Sequence, residues 1–260
     1  MDLTAFSARE LLVFLLILVR TAGIFTLTPI FGAQQTPGHV RLVMAVALAL
    51  VFVPMARPPS EIPVGTLALA VVVAREALVG LAIGFVVSMV FSAIEIAGHI
   101  IDVNAGFGLA AVVDPINGHH AAPVARLHTL LAGLIFFVTN SHHLLLKGLA
   151  DSFSIAPVGQ MGIGPAVAGG MIELFSGLFM VGVRIAVPVM AAVFLADLAL
   201  AIAARVVPQM NVLIVGFPLK LGVGIVGLIV ALPVIVAMSQ GLFGDMYGQI
   251  GSLVRMMAGT

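Results

Sequence analysis

Residues 64–94 read VGTLALAVVVAREALVGLAIGFVVSMVFSAI, and this stretch decides the fold class. The run of 31 residues carries charge only at Arg75 and Glu76. Its apolar residues do not alternate with polar ones, so it is not a strand of a membrane barrel. As one helix it extends about 45 Å at 1.5 Å per residue, more than the roughly 30 Å of a bilayer's hydrocarbon. Gly80-Leu-Ala-Ile-Gly84 inside it is a small-xxx-small face, which lets two helix backbones approach closely. Arg75 and Glu76 are chain neighbours and point to different sides of a helix, so each needs a partner from elsewhere.

Working outward, the same character continues. Of 260 residues, 62% are hydrophobic and 8% charged, against roughly 25% charged in a soluble domain. A soluble core cannot absorb that excess, since a globule needs polar residues to cover its surface. Lipid or other apolar protein must cover this one. Basic and acidic residues balance at eleven each, with no basic patch, so nucleic acid is not an expected partner. Cysteine is absent, which excludes disulfides, thiolate catalysis and cysteine metal sites. Asp2 and Glu10 stand where a cleavable signal would be basic, so the whole chain is expected to be mature.

Prolines, glycines and charges cut the chain into about six apolar helical segments. These are Leu11–Phe31, Val40–Ala56, Val64–Ile94, Leu127–Leu149, Ala166–Val207 bent at Pro188, and Val212–Met238. Arg57–Pro63, Glu95–Pro123 and Asp151–Pro165 read as connections. The expected fold is an all-α membrane protein of bent hairpins in one domain, 1–260. Trp is missing and Tyr247 is the sole tyrosine, so aromatic belts are lacking. Arg9, Arg41, Arg57, Arg126, Lys147 and Arg255 fall on both sides of any simple topology. Helices held mainly by neighbouring subunits would explain both features.

Catalytic and metal signatures fail one by one. His119–His120 and His142–His143 are adjacent pairs, about 100° apart on a helix, without zinc-protease spacing. No Gly-x-Ser-x-Gly elbow, Walker loop or dinucleotide fingerprint occurs. No enzyme, metal or cofactor is therefore expected. The charges inside apolar blocks say more: Arg20, Arg75, Glu76, Arg184 and Asp197. Left in lipid unpaired, each would cost about 2.5–3.5 kcal/mol or more. Two readings stand: they join helices within the chain, or they face a polar path or a partner subunit. The connection Glu95–Pro123 is apolar yet carries Gly106, Gly108, Asp114, Pro115 and Gly118; unless it is a tight interhelical connector, such a non-helical segment must be covered by protein or line a cavity.

Several blocks together carry a resemblance. They are Arg20, Pro29-Ile-Phe-Gly32, Pro37 and Arg41; Arg75-Glu76 with Gly80 and Gly84; Gly98, Gly106-Phe-Gly108 and Asp114-Pro115; and Asn140, His142, Asp151-Ser-Phe153 and Pro157. The most specific are Pro188 with Asp197, then Arg205-Val-Val-Pro-Gln-Met-Asn-Val212 and Gly216-Phe-Pro-Leu-Lys220. In order and spacing over residues 9–240 the chain resembles the FliR family of type III export-gate subunits, whose virulence-system relatives are the SpaR/HrcT proteins. His99 and Asn104 depart from its pattern, which bears on fine detail near the central loop.

The resemblance implies a non-enzymatic structural subunit of the flagellar export gate in the bacterial inner membrane, at the flagellar basal body. It implies a FliP-like part followed by a FliQ-like helical hairpin from near Ala166. Expected partners are FliP-like and FliQ-like subunits, an FlhB-type protein at the cytoplasmic mouth, an FlhA-type export protein, membrane lipid and unfolded flagellar substrates. The central loop is expected to plug the idle channel through Gly106, Phe107, Gly108, Leu109, Val112, Val113, Asp114 and Pro115. Partner contacts are expected at Arg20, Arg75, Glu76, Arg184, Asp197, Arg205, Pro208, Gln209, Asn211 and Lys220. The rivals are the equivalent injectisome subunit and a small-solute transporter, although no internal repeat of the transporter kind is visible.

Overall fold

A computed structural model describes residues 8–32, 36–56, 65–108, 122–159 and 165–259. Among the described residues there is no β-strand. The helices are α1 (Ala8–Leu27), α2 (Pro29–Gly32), α3 (Gly38–Phe52) with a 3-10 turn Val53–Met55, α4 (Thr66–Ala105), α5 (Pro123–Val138), α6 (Ser141–Ile155), α7 (Pro165–Val206) and α8 (Val212–Ala258). Five are long and apolar enough to cross a membrane, six if the bent pair α5–α6 counts as one span. The chain is an all-α membrane protein.

Several boundaries differ from those read off hydropathy. The segment Glu95–Ala105, expected as connection, completes α4. Its polar residues lowered hydropathy, but Ile94, Ala97, Ile101 and Ala105 are buried at helical spacing while Glu95 and His99 pair on the exposed side. The stretch Asp151–Ile155 likewise belongs to α6. The block Leu127–Leu149 is two helices, broken between Val138 and Ser141. The break falls at Asn140, whose φ of 56° is the left-handed conformation that asparagine tolerates better than most residues. Finally, α8 runs twenty residues past Met238, to Ala258. Phe243, Met246, Ile250, Leu253 and Met257 continue the buried stripe there, while Asp245 and Gln249 mask it from a hydropathy window. The expected loop Arg57–Pro63 and the pair His119–His120 lie outside the described residues.

Pro188 sits inside α7, and Pro218 and Pro233 inside α8. With 40, 42 and 47 residues, α4, α7 and α8 are roughly 60–70 Å long, about twice a bilayer's hydrocarbon thickness.

Two compact units share these long helices. The first comprises Met1–Val90, Asn140–Phe175 and Phe243–Thr260. Its core includes Leu16, Ile17, Ile83, Leu149, Phe153 and Phe243. There α1 crosses α4 at glycines. A Cβ on Gly80 would overlap the carbonyl oxygen of Arg20, and one on Gly84 would lie 2.9 Å from the Ile24 carbonyl oxygen. Gly23 answers from α1, where a Cβ would come within 2.9 Å of the Leu81 nitrogen. The second unit comprises Phe91–Thr139 and Ser176–Leu242. Phe91 and Phe136 pack edge to face at 5.5 Å between α4 and α5. Its α7–α8 hairpin is antiparallel: Gly216 faces Leu200, and Gly227 faces Val189.

Candidate functional site

The chemistry-bearing residues fall into three groups. The first is a buried ion pair. The Arg20 guanidinium on α1 donates from Nε to Glu76 Oε2 on α4 at 2.7 Å, and both side chains are fully buried. Arg20 also donates to Ser152 Oγ at 3.1 Å and to the Ala156 carbonyl at 3.2 Å, and stacks 4.5 Å above the Phe153 ring. Glu76 accepts a further bond from the Gly159 amide at 2.8 Å. A desolvated pair is tolerable only when such extra bonds satisfy its remaining donors and acceptors. Of the two readings open for these charges, Arg20 and Glu76 take the internal one, so their expectation as partner contacts is corrected. Arg75, beside them in the chain, faces outward and is exposed.

The second group is the turn leaving α4. Gly106 has a φ of 85°, and Phe107 donates back to the Asp102 carbonyl at 3.0 Å. This closure ends the helix with a residue that carries no Cβ penalty. Gly106, Phe107 and Gly108 are part-exposed. Leu109, Val112, Val113, Asp114 and Pro115, the remainder of the expected plug, lie outside the described residues. Asp102 is 2% exposed. Its role escaped sequence reasoning, although Ala122, a poor cap ahead of Pro123, hinted that α5 needs a carboxylate from elsewhere.

The third group lies on the α7–α8 hairpin. After Val206 the chain turns through Pro208 and Gln209, with Met210 donating to the Val207 carbonyl at 3.0 Å. Asn211 opens α8, its Oδ1 accepting the Ile214 amide at 3.3 Å. Pro208, Gln209 and Asn211 are exposed at this tip. Lys220 meets Asp197 across the hairpin at 2.9 Å. Arg205 and Arg184 are both exposed, and among the described residues no carboxylate is in ion-pair contact with either. Arg184 stands near the middle of α7. The opposite face, with Leu178, Ile185, Ala186 and Val189, is buried. Around Arg184 lie exposed Met180 and Val187, and further along Leu195, Leu198 and Ile202. A lone cation therefore interrupts an apolar face about 30 Å from either helix end.

Among the described residues no group of three metal-ligating side chains occurs. The His142 and His143 rings lie 4.2 Å apart. A polar contact that sequence reasoning missed joins α6 to the end of α8: the Tyr247 hydroxyl donates to Asp151 Oδ2 at 2.5 Å.

Residues 11–246 match the family described as bacterial export proteins, family 1. The chain belongs to this family. Among similar proteins, the flagellar biosynthetic protein FliR of Bacillus subtilis is 37% identical over 235 residues, covering 88% of this chain and 90% of that protein. FliR of Escherichia coli K12 is 27% identical over 237 residues, 91% and 90% of the two chains. Yop proteins translocation protein T of Yersinia pestis is 30% identical over 217 residues, 82% of each. The family match embraces the buried ion pair, the turn after α4 and the whole α7–α8 hairpin tip.

Proposed function

We propose that this chain is a non-enzymatic structural subunit of the flagellar type III export gate, needed for flagellum assembly, in the inner membrane at the basal body. The observation that carries the reading is the surface of the long helices. Only 17% of the most apolar window of α8 is buried within the chain. Both α7 and α8 are too long for the hydrocarbon layer alone. Ile214, Val226, Ile229 and Val230 are exposed on α8, and Arg184 interrupts the exposed apolar face of α7. An apolar surface of this extent calls for cover by other helices. Relatives named for flagellar biosynthesis and a family described by export support a flagellar export apparatus as the assembly. FliP-like and FliQ-like subunits are the proposed cover, the α7–α8 hairpin being the FliQ-like part. FlhB-type and FlhA-type proteins at the cytoplasmic side and unfolded flagellar proteins in the channel complete the proposed set. Arg75, Arg184, Asp197, Arg205, Pro208, Gln209, Asn211 and Lys220 are the proposed partner contacts.

Residues 106–115 are the proposed plug of the idle channel. Phe107 and the apolar residues after it supply bulk that closes a pore by dewetting, without a charged site. The equivalent role in a virulence injectisome is a second reading, favoured by the similarity to the Yersinia translocation protein.

The test is deletion of the gene with complementation, and co-purification of the tagged protein from its own membranes. The expected outcome is loss of flagellar filaments and capture of FliP- and FliQ-like proteins, with crosslinkers at Gln209 or Lys220 trapping a partner. Intact flagella in the deletion strain with lost effector secretion would move the assignment to the injectisome. Intact function in both systems would refute the gate reading.

A further inference from the structure

Pro123 opens α5, and the residue before it, Ala122, caps nothing with its side chain. Amides in the first turn of a helix have no acceptor within the helix, and a buried amide left without one is costly. Those of Val124 and Ala125 are nevertheless satisfied, from another helix. Val124 donates to Asp102 Oδ1 at 3.0 Å and Ala125 to Asp102 Oδ2 at 2.9 Å. Asp102 lies on the last turn of α4, 22 residues before Val124. Its carboxylate thus does the work of an N-cap in trans, with the sign that the start of a helix dipole favours. One turn earlier on the same face of α4, Gly98 has no side chain: a Cβ there would overlap the Ala125 Cα and lie 2.8 Å from its nitrogen. The two backbones touch at this point, which brings the carboxylate within reach. The carbonyl of Asp102 is also the acceptor that closes α4, taking the Phe107 amide at 3.0 Å.

We propose that Asp102 is the positioning residue of the segment between α4 and α5. One residue holds both of its ends: its carbonyl where the chain leaves α4, its carboxylate where the chain enters α5. The mouth of the segment is then set by Asp102, whatever conformation the residues between adopt. The consequence for the channel rests on the reading of residues 106–115 as its plug. On that reading, Asp102 keeps the plug aimed.

Hydrogen exchange on the assembled complex tests the anchor directly. In the unmodified protein Val124 and Ala125, normally among the least protected positions of a helix, should be protected. In Asp102→Asn one amide meets the new carboxamide oxygen, while the other faces its NH2 group, donor against donor. The Val124 and Ala125 amides should then exchange about tenfold faster or more, while Phe107, whose acceptor is the backbone carbonyl, keeps its bond, and the gate should leak ions in a planar-bilayer conductance measurement. Ser239→Ala, at a buried hydroxyl bonded among the described residues to its own helix at Ile235, should change neither. Unprotected Val124 and Ala125 in the unmodified complex overturn the anchor, even if the variant fails to assemble. Faster exchange in an Asp102→Asn gate that stays tight, when deletion of residues 106–112 leaks, overturns the positioning role and spares the plug. A deletion that stays tight removes the plug reading, and the exchange result alone then decides the anchor.

Discussion

Arg20 and Glu76, 56 residues apart in the chain, meet at 2.7 Å with neither side chain exposed to solvent. Removing one member leaves a buried charge uncompensated, which costs about 3–5 kcal/mol. Glu76→Gln should therefore lower the melting temperature of the purified complex and the cellular level of the protein sharply. The double variant Arg20→Met with Glu76→Leu should recover part of the loss, since no buried charge remains, although Ala156 and Gly159 lose partners. An unchanged melting temperature in Glu76→Gln would show that the pair does not hold α1, α4 and α6 together.

A methyl group at Gly80 has no room, because the Arg20 carbonyl oxygen occupies its place. Gly80→Ala should force α1 from α4 and cost about 1–3 kcal/mol, the usual range for overpacking. Gly133 on α5 has nothing within 4 Å of the equivalent position. Gly133→Ala should be neutral or stabilise by about 0.5–1 kcal/mol through helix propensity alone. Thermal unfolding of the two variants side by side checks the contrast; equal behaviour would remove the glycine crossing as a determinant of the fold.

Arg184 is exposed on an apolar face of α7. In lipid it would cost about 2.5–3.5 kcal/mol or more. A carboxylate on a covering helix is the expected partner. Arg184→Glu should abolish assembly, measured by co-purification, and swimming, measured in soft agar. A second-site Asp or Glu to Lys or Arg change in a partner subunit should restore both. Full motility with Arg184→Glu would mean that the residue faces water.

Deleting residues 106–112 should leave an assembled complex whose idle conductance rises. Phe107→Ala, which keeps the backbone and the Gly106 turn, should give a smaller rise in the same direction. A deletion complex as tight as the parent would reduce this segment to a connector between α4 and α5.

Much was legible before any coordinates. Continuous apolar runs without alternation required helices, and too few charges to clothe a soluble globule required lipid or protein cover. Pro208 marked the end of α7, because ring geometry acts on the residue itself and its immediate neighbours. Helix ends rich in polar residues misled the hydropathy reading at Glu95–Ala105, Asp151–Ile155 and beyond Met238. There the burial period of three to four residues persisted beneath the lowered average.

Partnership between distant residues was not legible. Nothing local in Arg20 names Glu76, Ser152 and the Ala156 carbonyl, and nothing in Asp102 names the amides of Val124 and Ala125. Nor could the chain alone tell Glu76, buried and paired, from its neighbour Arg75, exposed. Periodicity assigns a residue to a face, but which helix covers that face depends on where backbones can approach. Here that is set at Gly23, Gly80, Gly84 and Gly98, whose effect exists only once two helices have met. Hydropathy likewise reads the apolar inner and outer faces of α7 alike, because burial in a core and exposure to lipid demand the same side chains. Only the folded chain separates the stripe at Ile185 and Val189, already packed, from the one at Arg184, left exposed.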